Sequence, residues 1–144
     1  MFLSVLAHLA QERGGGVTEN EITYAIIGCA IEAQRALGGP GLLEGVYEEA
    51  LAWELQQSGF AVERQVCVPV RYKGHVLATP LRLDLLVEGK VIVECKSVAE
   101  YNAIFEAQAL TYLRMTGLAV ALVINFGAAT VKEGVHRVVN GFKG

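Results

Sequence analysis

Cysteine is scarce in this sequence. Its 144 residues include three, Cys29, Cys67 and Cys95. They are far apart and odd in number, and no C-x-x-C pair occurs. This excludes a disulfide framework, a zinc ribbon and an iron–sulfur cluster, and it fits a reducing, cytoplasmic setting. An excess of positive charge is also missing, since 12 Lys and Arg stand against 15 Asp and Glu for a formal net charge of −3. A chain that grips nucleic acid by overall basicity is thereby excluded. Any nucleic-acid site must be a local basic patch or draw on metal ions. No apolar run reaches the roughly 20 residues that cross a bilayer, so no membrane partner is expected. Hydrophobic residues make up 53% and charged residues 19%, a balance that argues against disorder. The length favours one domain with a real core.

The apolar N-terminus, Met1 to Ala10, has no basic segment before it and runs into Gln11-Glu12-Arg13 and a glycine triplet, Gly14 to Gly16. It reads as a leader over residues 1–17 rather than a cleaved signal, with the folded domain over 18–144. Thr18-Glu19-Asn20-Glu21 is a capping box. Ile22, Ala25, Ile26, Cys29, Ala33 and Leu37 then recur at helical spacing, and Gly38-Gly39-Pro40-Gly41 stops that helix. A second helix is expected from about Leu43 to Ser58, with Val46, Tyr47, Ala50, Leu51 and Leu55 inward. The period changes to two over Val62 to Val70, a strand pattern. Lys73-Gly74 reads as a turn into a short strand. Leu81 to Val87 and Val91 to Lys96 read as strands joined at Glu88-Gly89-Lys90. A helix over about Asn102 to Thr116, a buried strand over Leu118 to Phe126 and an edge strand over Gly134 to Val139 complete the chain. The expected fold class is α/β, a central mixed sheet flanked by helices.

The chemistry concentrates in Arg82-Leu83-Asp84 and Val91-Ile92-Val93-Glu94-Cys95-Lys96, where charged groups interrupt very apolar strands. An ionised carboxylate is costly to bury unless it is paired or bound to metal. Alternation puts Glu94 and Lys96 on one face and Val93 and Cys95 on the other. The residues alone leave two readings open. One is a structural ion-pair cluster, with Asp84 and Glu94 balanced by Lys96 and Arg82. The other is a metal site in which Asp84, Glu94 and the backbone carbonyl of Cys95 offer oxygen ligands to Mg²⁺ or Mn²⁺, the ion acidifies a water and Lys96 steadies developing charge. Gln108 and Tyr112 share a face of the following helix. Glu44 sits at the start of the second helix, where the helix dipole would also favour an acid.

Taken together, these segments resemble the GxxExxY proteins of the PD-(D/E)XK nuclease superfamily. Gly41-Leu42-Leu43-Glu44-Gly45-Val46-Tyr47 matches GxxExxY. Asp84 followed by Glu94-Cys95-Lys96 is similar to the D…ExK core, and Gln108-x-x-x-Tyr112 to the QxxxY motif of RecB-type members. Val68 to Gly74 and Ile124-Asn125-Phe126-Gly127 add family-like stretches. The resemblance implies a restriction-endonuclease-like core. Its implied metal ligands are Asp84, Glu94 and the carbonyl at Cys95, with Lys96 and Glu44 as further catalytic groups. Gln108 and Tyr112 are then supports or nucleic-acid contacts. The implied activity is metal-dependent hydrolysis of phosphodiester bonds, with DNA as the expected substrate. The alternatives are a silent nuclease-fold binding or regulatory protein and a subunit that needs a partner, whether a second copy or another protein. The sequence departs from the pattern in having Leu83, not proline, before the core acid. It also has Gln34-Arg35 and an extra glycine ahead of Gly41.

His8, His75 and His136 lack partners at ligand spacing and read as solvated. Trp53 reads as packing. Arg71, Lys73, Arg114, Lys132 and Arg137 are candidates for a phosphate-facing rim. One expectation is sharp. Only a three-residue hairpin connection, or an equivalent bulge, pairs Val87 with Val91 and sets Asp84 opposite Glu94.

Overall fold

The first helix, α1 (Glu19–Ala36), starts where the capping box places it, with the Thr18 hydroxyl accepting the Glu21 amide at 3.2 Å. The computed structural model describes residues 16–142. Most of the expected leader, including His8, lies outside the described residues. Val17 is buried in the core, and its carbonyl accepts from Lys90 Nζ at 2.6 Å. The elements that follow are α2 (Glu44–Gln57), β1 (Val62–Val68), β2 (Arg71–Tyr72), β3 (His75–Val76), β4 (Leu81–Val87) and β5 (Val91–Lys96). Then come α3 (Ile104–Thr116), β6 (Val120–Asn125), the one-turn α4 (Val131–Gly134) and β7 (Val135–Val139). None of the described helices is long and apolar enough to cross a membrane.

Five strands form one mixed sheet in the order β1-β4-β5-β6-β7, while β2 and β3 form a separate two-stranded ribbon. The β5–β6 pair is parallel, since α3 crosses between these strands; the other pairs are antiparallel. Helices cover both faces. On one, Ile22, Ile26, Leu51 and Leu55 of α1 and α2 pack on Leu85, Val93 and Leu122. On the other, Ala109 and Leu113 of α3 pack on Ile92, Ala121 and Val123. Two-sided cover explains the unbroken apolar run of β6, buried along its whole length.

Some expectations fail at the margins. Val46 is 43% exposed and Trp53 57% exposed, both on the outward side of α2. The helical spacing holds, but the apolar residues circle α2 more widely than the sheet can cover. Leu37, expected inward, is the exposed C-cap of α1. Val70 lies beyond the end of β1. His136 is not solvated: it stacks on Tyr101 with ring centroids 3.9 Å apart.

The hairpin register is the expected one. Val87 pairs with Val91, Leu86 with Ile92 and Leu85 with Val93. Glu88 and Gly89 both have positive φ, and the Lys90 amide bonds the Val87 carbonyl at 3.0 Å. This is a two-residue turn with Lys90 as one extra residue, and that extra residue shifts the register.

Candidate metal and nuclease site

Continued by one step, the β4–β5 register sets Asp84 against Glu94, yet the ladder stops at Leu85 and Val93. The β1–β4 ladder breaks at the same residue: Arg64 pairs with Leu85 and Val66 with Leu83, leaving Gln65 and Asp84 unpaired between them. Gln65 has φ 53°, a left-handed conformation that non-glycine residues rarely adopt. The strands also change faces here. Leu85 and Val87 belong to the layer under α1 and α2, whereas Leu83 belongs to the layer under α3. Val62 and Val66 divide in the same way along β1. Asp84 thus sits at the point where the sheet opens.

The carboxylates take over the lost ladder bonds. The Asp84 amide donates to Glu94 Oε2 at 3.0 Å, and the Cys95 amide donates to Asp84 Oδ2 at 2.8 Å. A residue in an extended strand sends its N–H and C=O to the same side, so the Cys95 carbonyl also faces the opening beside Asp84. The Cys95 thiol points the other way into the core, where burial pushes it well up from its ordinary value.

Burial dominates the electrostatics. Glu94 is 4% exposed. Burial first, then the adjacent Asp84, pushes its carboxyl up to about 8, against the opposing pull of the Asp84 amide and Lys96. Asp84 is half-buried and raised in the same direction, again chiefly by burial, with Glu48 and Glu44 adding to it. Among the described residues the ion pairs are Arg35–Glu32, Arg64–Glu48 and Arg64–Glu49. None of the Lys, Arg or His nitrogens of the described residues lies within 4 Å of Asp84 or Glu94. Arg82 is exposed, and Lys96 Nζ lies over the Phe105 ring, 4.7 Å from its centroid. The balanced ion-pair cluster that the sequence left open is therefore not formed.

The other expected residues fall around this opening to different degrees. Glu44 is exposed and accepts the Ser97 amide at 3.1 Å, just past the end of β5. Tyr112 is half-buried, and its hydroxyl is raised by burial first and then by the charges of Glu94 and Asp84. Gln108, one turn earlier, is exposed. The tyrosine of the GxxExxY segment is structural: Tyr47 is fully buried, stacks on Phe126 at 4.7 Å, donates to the Gly39 carbonyl and accepts from the Leu42 amide. Gln34 is a clamp, donating to the Phe126 and Ala128 carbonyls and accepting the Val131 amide. Asn125 holds Val98 through both its amide and its carbonyl.

One acid escaped the sequence reading. Glu48 is 5% exposed, and its carboxylate is held by Gln65 Nε2 at 2.9 and 3.1 Å and by Arg64 at 3.1 Å. Its spacing of four from Glu44 put it on the same helix face. It sets the left-handed Gln65 opposite Asp84 and adds negative charge beside both acids.

Among the described residues no group of three or more His, Cys, Asp or Glu side chains is gathered as an ion-holding set. The donors on the opening are two carboxyl groups and one backbone carbonyl, all oxygen, with no cation of the described residues within ion-pair distance. That set fits a hard divalent cation and leaves other positions for water and substrate.

A mixed sheet between helices, opened at an Asp on one strand and a Glu-x-Lys on the next, defines a nuclease-like domain. Residues 20–138 match the model of the PD-(D/E)XK nuclease superfamily, and the chain belongs to that superfamily. Such nucleases generally use divalent metals and bind nucleic acid. No curated protein and no solved structure matches the chain.

Proposed function

We propose that this protein is a metal-dependent nuclease of the GxxExxY type that hydrolyses phosphodiester bonds, with DNA as its substrate. The observation that supports this most is the pair Asp84 and Glu94: half-buried and buried respectively, facing each other across an opened ladder, and without an ion pair to any of the described residues. Two like charges at strand spacing repel unless a cation lies between them. Asp84, Glu94 and the Cys95 carbonyl are the proposed ligands of Mg²⁺ or Mn²⁺. Such an ion, when bound, acidifies a water and offsets charge on the phosphate. The chain's own groups do the rest. Lys96, half-buried beside the acids, donates toward the attacking water or the charge developing on the phosphoryl oxygens. Glu44 holds the Ser97 turn at the mouth of the site and adds an acceptor for water. Tyr112 and Gln108 line the approach from α3 and contact the nucleic-acid strand. An exposed free Cys67 fits a cytoplasmic protein.

A subunit role has one observation in its favour. Val46 and Trp53 line a shallow apolar groove with Ala33, Leu37 and Ala50 on the outer side of α1 and α2, a surface that suits a protein partner or a second copy.

The experiment is incubation of the purified protein with labelled DNA and RNA, single- and double-stranded, plus Mg²⁺ or Mn²⁺. Cleavage is expected with the metal and not with chelator. Asp84→Asn is expected to abolish it while keeping the wild-type far-UV circular dichroism. Full metal-dependent activity in Asp84→Asn would end this reading.

A further inference from the structure

The segment between Arg64 and Leu83 contains no Asp or Glu, although acids outnumber bases in the whole chain. Its centre is the ribbon β2–β3, closed by Lys73-Gly74 with φ of 50° and 83°, a two-residue turn of the type whose twist matches a hairpin. Residues 71–80 are all exposed. Tyr72 and Val76 are left 57% and 58% accessible, and Lys73 Nζ sits 5.4 Å from the centroid of the Tyr72 ring. Among the described residues no carboxylate lies within 4 Å of Arg71, Lys73 or Arg82. Basic groups without acids, beside an aromatic ring with a face to water, are unusual on an acidic protein.

The position matters as much as the composition. The ribbon leaves the sheet where Val68 pairs with Leu81, three residues from Asp84, or about 10 Å along the strand. Its root is on the side of the catalytic acids, since Pro69, Val70 and Arg71 form a cleft with Met115 at the end of α3. Two of the other expected rim residues are elsewhere. Arg137 is engaged by Thr23 and Asn20 of α1, and Lys132 borders Gln34 and Arg35.

We infer that the β2–β3 ribbon is a grip for single-stranded nucleic acid, with Arg71 and Lys73 on successive phosphates and Tyr72 stacked on an unpaired base, feeding the strand to the Asp84–Glu94 site. This rests on the nuclease reading and deepens it. A single strand is favoured because the patch is small and its ring needs an unstacked base. The ribbon supplies locally the positive potential that the net charge denies the chain as a whole.

The test is fluorescence anisotropy of labelled single-stranded and duplex oligonucleotides, using the full chain in chelator to prevent cleavage. In parallel, Mn²⁺ titration of each variant checks that the metal site is intact. Arg71→Ala/Lys73→Ala is expected to weaken single-strand binding about tenfold and to lower the slope of log K against log salt by roughly 1.4, two contacts at about 0.7 each. Tyr72→Ala is expected to lose about fivefold or more with the salt slope unchanged. Lys132→Ala should change neither, and all variants should bind Mn²⁺ like the wild type. Wild-type binding that none of the ribbon variants weakens overturns the grip and leaves the nuclease reading standing. Loss confined to duplex DNA overturns it as well. A wild-type protein that binds Mn²⁺ but no oligonucleotide in chelator overturns the grip, and one that also cleaves none with Mn²⁺ present overturns both.

Discussion

Glu94→Gln should make this protein more stable when no metal is present. The side chain is 4% exposed and faces Asp84; burial and Asp84 push its carboxyl from an ordinary 4.5 to about 8. Below 4.5 the acid is protonated in both folded and unfolded chains, so it adds nothing to the pH dependence. Between 4.5 and 8 the folded chain holds a proton that the unfolded chain has released, and folding stability falls as pH rises. Above 8 both are ionised and the loss is complete. At 1.36 kcal/mol for each pH unit, the full loss is at most roughly 5 kcal/mol. The glutamine is neutral throughout and keeps an acceptor for the Asp84 amide, so it escapes this loss. Urea unfolding in chelator, from pH 5 to pH 9, measures it. The wild type should lose several kcal/mol across the range, and Glu94→Gln should lose clearly less and be the more stable at pH 9. Mn²⁺ should restore the wild type, by about 2.7 kcal/mol at a hundred times its Kd, and leave the variant unmoved. A wild-type stability that is flat from pH 5 to 9 in chelator, or a variant less stable than wild type at pH 9, would refute the reasoning.

Other outcomes follow from neighbouring residues. Gln65→Gly should keep Mn²⁺ binding, because glycine holds a positive φ easily. Gln65→Val should weaken it at least tenfold, because a β-branched residue resists that conformation; equal binding by both variants in calorimetry would show that the ladder break does not position Asp84. Tyr47→Phe should cost about 1–3 kcal/mol in urea unfolding, since the Leu42 amide loses its acceptor and the Gly39 carbonyl its donor. Asn125→Ala should cost roughly 3 kcal/mol by the same assay, because the Val98 and Gly127 amides both bond its side-chain oxygen. Gly127→Ala should destabilise by more than about 2 kcal/mol on thermal melting, as a Cβ there would overlap the Val98 backbone, which has no room to give.

The elements were legible in the sequence because their signals are local. The capping box at Thr18, the period-two run from Val62 and the apolar run of β6 each report a choice made within a few residues. So did the register of β4 and β5, where Asp84 and Glu94 had to share a face or lose any common purpose, and one extra residue at the turn sufficed. The motif spacing also marked Asp84, Glu94 and Lys96, since charge inside an apolar strand needs a reason wherever the strand lies. What the sequence left undecided was whether those acids have protein counter-ions. That depends on where Arg82 and Lys96 point, and the tertiary structure sends one to solvent and the other onto Phe105. The face change at Gln65 and Asp84 was invisible because it is a property of two paired strands and of Glu48 from a helix, three segments that meet only in the fold. The outward placement of Val46 and Trp53 was undecided for the same reason. A helix periodicity tells which residues share a side, and only the width of the sheet beneath decides how many of them are covered.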